Sequence, residues 1–292
     1  MTRSAVLLAP CTWLFCLCTD GWAQVATAAS GASAPTAPVA ITEKPYSLDF
    51  KPVLLDTGSS AGTSLGLDYD FTGKYEFWSS STGGGRPTIS LDELDKTFHK
   101  GQLDLRARGT LAASAEKNPN KLLDFGAALV LKLNAQNHFA RLGGTLAFET
   151  DQGFDHKQTM FGLTTTVSKV RWFIPGDAGS LIANFGTVDP SKNKERQALL
   201  GNLNSFRRWD VEVSYSIPIR NPKVRSVDFD YRHYQEVSAP SQIRSAGLDR
   251  NRLGLVRVNL DQDFFLQYSR GSLPFDQKSE RTIKLGWSMK FE

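Results

Sequence analysis

Apolar and polar residues alternate along most of the chain from about residue 46 onward, and this period of two constrains the fold more than any other feature. In residues 64–77 one face carries the apolar members, which are Leu65, Leu67, Tyr69, Phe71, Tyr75 and Phe77. Asp68, Asp70, Lys74 and Glu76 occupy the other face. Successive side chains of a β-strand point to opposite sides of a sheet, so the pattern predicts strands with one apolar face.

The same alternation recurs in about twelve segments, which predicts an all-β chain of antiparallel strands. Ten strands is the alternative, because the pattern is hardest to follow near the N-terminus. The segments centre on residues 48–56, 64–77, 102–113, 122–133, 138–150, 158–169, 180–188, 208–218, 225–236, 252–260, 264–271 and 282–291.

A soluble sandwich and a membrane barrel both give such alternation, and the aromatic residues favour the barrel. They lie near the ends of the apolar stripes, where an interfacial girdle is found in transmembrane barrels. The residues concerned are Trp209, Tyr215, Tyr231, Tyr268 and Trp287. No helix-rich segment is available to cover the apolar faces, so a lipid-facing wall is the simpler prediction.

The last strand ends in "KLGWSMKF", in which Lys284, Gly286, Met289 and Phe291 follow a polar-x-Gly-x-x-apolar-x-aromatic spacing. This resembles the C-terminal β-signal of bacterial outer-membrane β-barrel proteins, although Glu292 follows the usual terminal aromatic residue. The resemblance implies an antiparallel transmembrane barrel in the Gram-negative outer membrane. It also implies recognition by the β-barrel assembly machinery and contact with outer-membrane lipid.

The N-terminus predicts export. Arg3 precedes a short apolar run over residues 5–18, and small residues Gly21 and Ala23 suit cleavage after Ala23. All three cysteines lie within residues 1–23, so the mature chain carries no thiol for disulfides or thiolate sites. Residues 24–45 are rich in Ala, Pro, Ser and Thr and predict a flexible periplasmic tail, with the barrel over residues 46–292.

The predicted connections fall into two classes of length. With both termini in the periplasm, the outer connections are residues 114–121, 151–157, 189–207, 237–251 and 272–281, and the inner ones are residues 134–137, 170–179, 219–224 and 261–263. Outer loops of such barrels are the longer ones. Residues 78–101 are the exception, since they form a long segment that falls on the inner side. Two interpretations stay open: the strand count is wrong near the N-terminus, or the segment is an insertion, for which residues 90–98 offer a short helix.

The polar face of the strands predicts a charged lumen. The lumen charges are Asp68, Asp70, Asp104, Arg106, Arg108, Asp210, Glu212, Asp228, Asp230 and Arg232. Burying so many charges in a dry interior is costly, which favours a hydrated lumen. A further basic set belongs to the loop over residues 189–207 and the residue that follows it: Lys192, Lys194, Arg196, Arg207 and Arg208. It suits a solvated loop, contact with lipopolysaccharide phosphates, or capture of an anionic solute.

Three functional hypotheses remain open: a narrow passive channel for small polar or charged solutes, a non-conducting structural, adhesin or receptor barrel, and a hydrolase. The last would use the carboxylates of Asp68/Asp70 and Asp228/Asp230. The stretch "VLLDTGSS" over residues 53–60 matches the motif that carries the catalytic aspartate of aspartic proteases. Such a site needs two facing carboxylates, and the chain has no second copy of the motif, so we expect a turn here. We expect no enzyme, cofactor or metal. The net charge of +4 gives no reason to expect nucleic acid as a partner.

Overall fold

The computed structural model describes residues 45–58, 62–79, 100–135, 138–169, 173–276 and 279–291. Nearly all of these residues lie in antiparallel strands. The strands are β1 (Tyr46–Asp56), β2 (Thr63–Ser79), β3 (Lys100–Ala112), β4 (Leu123–Ala135), β5 (His138–Thr150), β6 (Lys157–Lys169), β7 (Ala178–Lys192), β8 (Phe206–Asn221), β9 (Val224–Val237), β10 (Arg250–Leu260), β11 (Phe264–Gly271), β12 (Glu280–Trp287) and β13 (Met289–Phe291).

The strands form one closed barrel. Each strand from β1 to β12 pairs with its neighbours in sequence, and β1 closes the ring by pairing with β12. The short β13 continues β12 beyond Ser288 and pairs with the first half of β1. The predicted fold class is therefore confirmed, with twelve strands rather than ten. Closure leaves no open sheet edge, which a wall in contact with lipid requires.

The two faces of the wall differ sharply in charge. Outward positions carry large apolar side chains with much of their surface exposed, such as Leu65, Phe161 and Leu285. Among the outward side chains that the structure describes, charges occur only near the ends of the strands: Arg225 lies at one end of the barrel, and eight others lie within four residues of the opposite end. These eight are Asp56, Lys157, Asp189, Arg207, Arg250, Arg252, Arg270 and Arg281. An uncharged outward band is what the hydrocarbon of a bilayer selects.

The two ends of the barrel also differ. The loop end carries the connections over residues 113–122, 151–156, 193–205 and 238–249, together with the described parts of two others, residues 57–58 and 62 and residues 272–276 and 279. The terminal end carries the start of β1, the end of β13 and the hairpin of residues 222–223. Two helices lie at the loop end, α1 (Lys194–Leu200) and α2 (Ser241–Ser245). Asn193 caps α1, because its side chain accepts a hydrogen bond from the Arg196 backbone nitrogen at 2.9 Å.

Several sequence predictions fall outside the described residues. The signal sequence and the tail do so almost entirely, as does the helix expected over residues 90–98. The strand bounds agree closely with prediction, and the largest difference is β7, which runs four residues further, to Lys192. In the described part of the chain no helix is long and apolar enough to cross a membrane.

Candidate functional site

The lumen is crossed by an ion pair between nearly opposite walls. Arg108 lies on β3 and Glu212 on β8, five strand positions away around the ring of twelve. The Arg108 Nη1 atom donates to both oxygens of the Glu212 carboxylate, at 2.8 and 2.7 Å. The strand pattern produces this pair because both residues lie at inward positions, where the polar face of each strand meets the lumen.

Three more charged residues surround this pair. Arg106 approaches Glu212 at 3.5 Å and Arg232 approaches it at 3.7 Å, while Arg108 also pairs with Asp124 at 3.1 Å. Their side chains retain accessible surface inside the ring: 31% for Arg106 and 21% for Arg232. We call these five residues, with three positive and two negative charges, the lumen cluster.

A second ion pair lies nearer the loop end. The guanidinium of Arg208 on β8 donates to the two carboxylate oxygens of Glu149 on β5, at 2.8 and 2.6 Å. Both side chains are only 5% exposed, and the neighbouring Asp210 approaches Arg208 Nε at 3.5 Å. This fork-to-fork geometry is the most favourable one for an arginine and a carboxylate, and it joins strands three positions apart.

Other inward charges pair along the wall. Arg141 donates to Asp104 at 3.1 Å, and Gln102 also donates to Asp104. Lys284 on β12 reaches past β1 to Asp68 on β2, with oxygen distances of 2.7 and 3.0 Å. All ten predicted lumen residues therefore lie on the strands at inward positions, and several of them bind one another.

The two Asp-x-Asp pairs have different binding partners, since Asp68 pairs with Lys284 and Asp228 does not. Asp68 and Asp70 lie on β2, whereas Asp228 and Asp230 lie on β9, five strand positions away by the shorter path. Asp228 accepts hydrogen bonds from Ser216 at 2.7 Å and from Asn259 at 2.5 Å. The expected turn at "DTGSS" is seen at its start, where the Gly58 backbone nitrogen donates to Asp56 at 2.8 Å and Gly58 has φ of 64°. Residues 59–61 lie outside the described part.

The mouth at the loop end is covered by residues 272–276, which we call the strap. Leu273 packs with Leu122, Tyr234 and Leu253 in a buried apolar cluster, and Phe275 packs against that cluster. The Phe275 ring also stacks on His156 with the ring centroids 5.4 Å apart. Because the β5–β6 loop that holds His156 lies six strand positions from the strap, this contact spans the mouth.

The strap is fixed by one carboxylate. Asp276 accepts hydrogen bonds from the backbone nitrogens of Leu273 at 2.7 Å and Lys121 at 3.1 Å, which join the strap to the β3–β4 connection. Burial raises the pKa of Asp276 to about 6, despite those hydrogen bonds. The ionised carboxylate is thus held under the strap at a cost.

The loops beneath the strap are joined by further charge contacts. His156 bonds Asp151 at 2.8 Å through Nδ1 and Glu195 through Nε2, which links the β5–β6 loop to α1. Arg196 on α1 forms a two-pronged pair with Glu236 on β9, at 2.8 and 2.9 Å. A cavity of about 70 Å³ remains between the strap, α1 and the barrel wall, lined by Arg196, Arg208 and Tyr234 among others.

The five basic residues predicted for one outer loop are divided by the structure. Arg196 and Arg208 are buried and paired with carboxylates, and Arg208 lies on β8, so the prediction of an exposed loop position is wrong for these two. Lys192 ends β7 and Arg207 is an outward residue of β8. Lys192 and Lys194 each approach Asp155 at 3.0 Å, and hydrogen bonds from Lys194 and then Lys192 hold the pKa of Asp155 near about 2.

Comparisons with known proteins identify no family for this chain. No protein-family model matches the chain, and no curated protein matches it. Among solved structures, the NanC porin is similar with a TM-score of 0.47 and 10% identity, over 84% of this chain and 100% of that one. An outer membrane channel from Pseudomonas putida F1 gives a TM-score of 0.36 and 13% identity, over 84% of this chain and 94% of that one. These values are too low to argue from.

Sequence reasoning missed the residues that close the mouth. Glu149 and Arg141 have inward parity on β5, so the alternation itself would have found them. His156, Glu236, Phe275 and Asp276 are different, because their partners come from connections whose path the strand period does not specify. Among the described residues, no group of three or more His, Cys, Asp or Glu side chains has the geometry of a metal site.

Proposed function

We propose that this protein is an outer-membrane β-barrel that acts as a narrow passive channel for small polar or charged solutes. The loop end would face outward and both termini would face the periplasm. Passage would run along the lumen cluster, and the strap would cover the outer mouth. Twelve strands enclose an interior between the side-chain-filled eight-stranded barrels and the open porins, so a constricted pore suits this size.

One observation carries the proposal: charged side chains inside the ring keep accessible surface. Arg106 is 31% exposed and Asp104 is 24% exposed, although both lie on the face turned away from the apolar outward wall. Since ionised groups are expensive to hold in a dry interior, this exposure supports a hydrated lumen. The ion pair between Arg108 and Glu212 is then the narrow point of the path.

The test is single-channel recording from the refolded mature chain in a planar bilayer. We expect discrete current steps, and larger or more frequent steps after the strap contacts are weakened by Leu273→Ala with Phe275→Ala. Leu199→Ala, a change on the exposed side of α1, is the matched control and should leave the current as in the parent. A barrel that inserts but carries no current, with or without the strap contacts, would overturn the channel.

A second candidate is a non-conducting receptor or structural barrel. It is favoured by the packing of the strap across the mouth and by the paired loops beneath it, which give the loop end a defined surface. The same recordings separate the two functions, because a receptor barrel stays silent when the strap is weakened. A hydrolase has less support, since Asp68 is paired with Lys284 and Asp228 accepts hydrogen bonds from Ser216 and Asn259, and no contact between the two carboxylate pairs is seen in the described residues.

A further inference from the structure

The outward charges are concentrated on one side of the barrel. Near the loop end, the outward positions of β9–β12 carry four arginines, Arg250, Arg252, Arg270 and Arg281, and no aspartate or glutamate. All four side chains are exposed, and each lies within three residues of the loop end of its strand. Arg250 donates to Gln235 at 2.8 Å. Within the described part of the chain, the other three form no ion pair; we call Arg252, Arg270 and Arg281 the arginine row.

Members of this row lie next to one another. Arg270 on β11 is directly opposite Arg281 on β12, and Gly254 on β10 is directly opposite Arg270. Arg252 is the next outward residue above Gly254 on the same strand. Like charges directly opposite one another on a sheet are destabilising, so this arrangement calls for an anion that is shared between the guanidinium groups.

A groove in the apolar wall begins where the row ends. Its volume is about 410 Å³, and its lining includes Tyr231, Gly254, Val256, Tyr268 and Arg270. The groove exists because Gly254 has no side chain: a Cβ there would meet only the Arg270 carbonyl oxygen, at 4.0 Å. Its floor and sides are thus apolar and aromatic, and a guanidinium stands at one edge.

The groove runs from the rim toward the middle of the wall. Arg270 and Arg281 lie at the loop ends of their strands, whereas Gly254 is the fifth residue of β10 and Tyr231 is the eighth of β9. Strands of such barrels tilt, so this row of paired residues descends obliquely through the membrane. A ligand lying along it would place anionic groups at the rim and hydrocarbon below.

We propose that the arginine row and the groove form a binding site for lipopolysaccharide, with the phosphates of its lipid A part on the arginines and one acyl chain over Gly254. Three neighbouring guanidinium groups need more negative charge than the single phosphate of an ordinary phospholipid, and lipid A carries two phosphates. Arginine binds phosphate through two parallel hydrogen bonds, which adds geometry to charge. With the loop end outward, the row lies at the leaflet that contains this lipid.

The first experiment asks which lipid the barrel retains. The refolded mature chain in non-ionic detergent is offered equal amounts of diphosphorylated lipid A and phosphatidylglycerol, and the bound lipid is counted by native mass spectrometry. We expect one lipid A to be retained in preference to phosphatidylglycerol. Arg252→Gln, Arg270→Gln and Arg281→Gln together should lower retention on the order of a hundredfold, since each basic residue near a charged lipid contributes on the order of fivefold.

Matched variants separate this site from general attraction. Arg207→Gln, Arg244→Gln and Lys223→Gln together remove the same charge from exposed positions outside the row and should leave retention as in the parent. Gly254→Leu fills the groove and should also lower retention. Gly144→Leu is its control, because Gly144 is an outward glycine on β5 with similar space, its nearest neighbour being the Gly162 carbonyl oxygen at 3.9 Å.

The outcomes distinguish the site from its alternatives. Equal retention of phosphatidylglycerol, or equal loss in the charge control, would mean only unspecific anionic attraction and would overturn the proposal. Unchanged retention in Gly254→Leu would overturn the groove. Conductance is recorded on the same samples, so the lipid site and the channel can fail independently of each other.

Discussion

Arg108 on β3 and Glu212 on β8 meet across the lumen with nitrogen–oxygen distances of 2.8 and 2.7 Å, although 104 residues separate them in the chain. Both side chains are mostly buried, with 11% and 13% of their surfaces exposed. Two long side chains from nearly opposite walls thus meet inside the lumen. In the proposed channel, this contact narrows the path.

Neutralising Glu212 should open the lumen cluster and change its selectivity. In Glu212→Gln, Arg106, Arg108 and Arg232 keep their charges while Asp124 remains the one carboxylate of the cluster. We expect larger single-channel current and a shift toward anions, measured as reversal potential in a salt gradient. Asp189→Asn, at an exposed outward position of β7, is the control and should leave the reversal potential unchanged. A shift toward cations would contradict the position of Glu212 in the path.

Removing the second ion pair should affect stability more than conduction. Glu149 and Arg208 are each 5% exposed, so Glu149→Gln leaves a buried guanidinium without its counter-charge. Such a loss costs about 3–5 kcal/mol, whereas an exposed pair contributes about 0–1 kcal/mol. Urea unfolding of the barrel in detergent should show a larger loss of unfolding free energy for Glu149→Gln than for Glu76→Gln, which breaks the exposed pair between Glu76 and Lys100. Equal midpoints for the two variants would show that the buried pair is not needed to hold β5 and β8 together.

Acid should stabilise the covered mouth. The pKa of Asp276 is raised to about 6 by burial under the strap, and Glu280 nearby raises it further, while Lys121 opposes the shift. In an opened strap the carboxyl would return to about 4, so the covered state binds more protons between these values. The ratio of covered to open mouths should therefore rise about tenfold from pH 7 to pH 5.

The measurement is open probability of single channels at several pH values between 7 and 5. It should fall with acid in the parent and stay nearly level in Asp276→Asn, which keeps an acceptor oxygen but cannot titrate. A slope that persists in Asp276→Asn would show that Asp276 is not the group that controls the mouth, and would contradict the prediction.

The strands and the inward or outward direction of their residues follow from sequence because both depend on local period. Leu65 and Asp68 lie on opposite faces of β2 because successive side chains of a strand alternate, independently of the rest of the chain. Closure of the ring then places Asp68 in the lumen. The contact between Lys284 and Asp68 does not follow in this way. It depends on the stagger of β12 against β1, and that stagger is a property of the whole ring.

The strap shows the other limit of sequence reasoning. The sequence predicts only an outer connection over residues 272–281. No alternation or motif in this segment indicates that Leu273 and Phe275 pack over the mouth of the barrel. Their partners Leu122 and His156 come from loops on other sides of the barrel. Loop paths depend on such long-range packing. The prediction of an exposed position for Arg196 is wrong for the same reason, because its partner Glu236 lies on β9.

The C-terminal residues provide the last prediction, which separates barrel closure from recognition. Phe291 pairs in register with Leu48 on β1, and its ring lies edge-on to Phe50 with centroids 6.2 Å apart. Phe291→Ala removes this contact from the seam between the first and last strands, yet the ring remains closed by four further pairs between β1 and β12. We expect near-parental refolding into detergent or lipid vesicles without other proteins, but a several-fold lower amount of folded barrel in cells.

That difference would support recognition of Lys284, Gly286, Met289 and Phe291 by the assembly machinery. Leu48→Ala is the matched variant, because it removes the other side of the same cross-strand contact and leaves the C-terminal pattern intact. Folded and unfolded forms are resolved by their different mobility on gels before and after heating. If Leu48→Ala lowers the cellular amount as much as Phe291→Ala does, the seam contact itself is what matters, and the pattern is not acting as a signal.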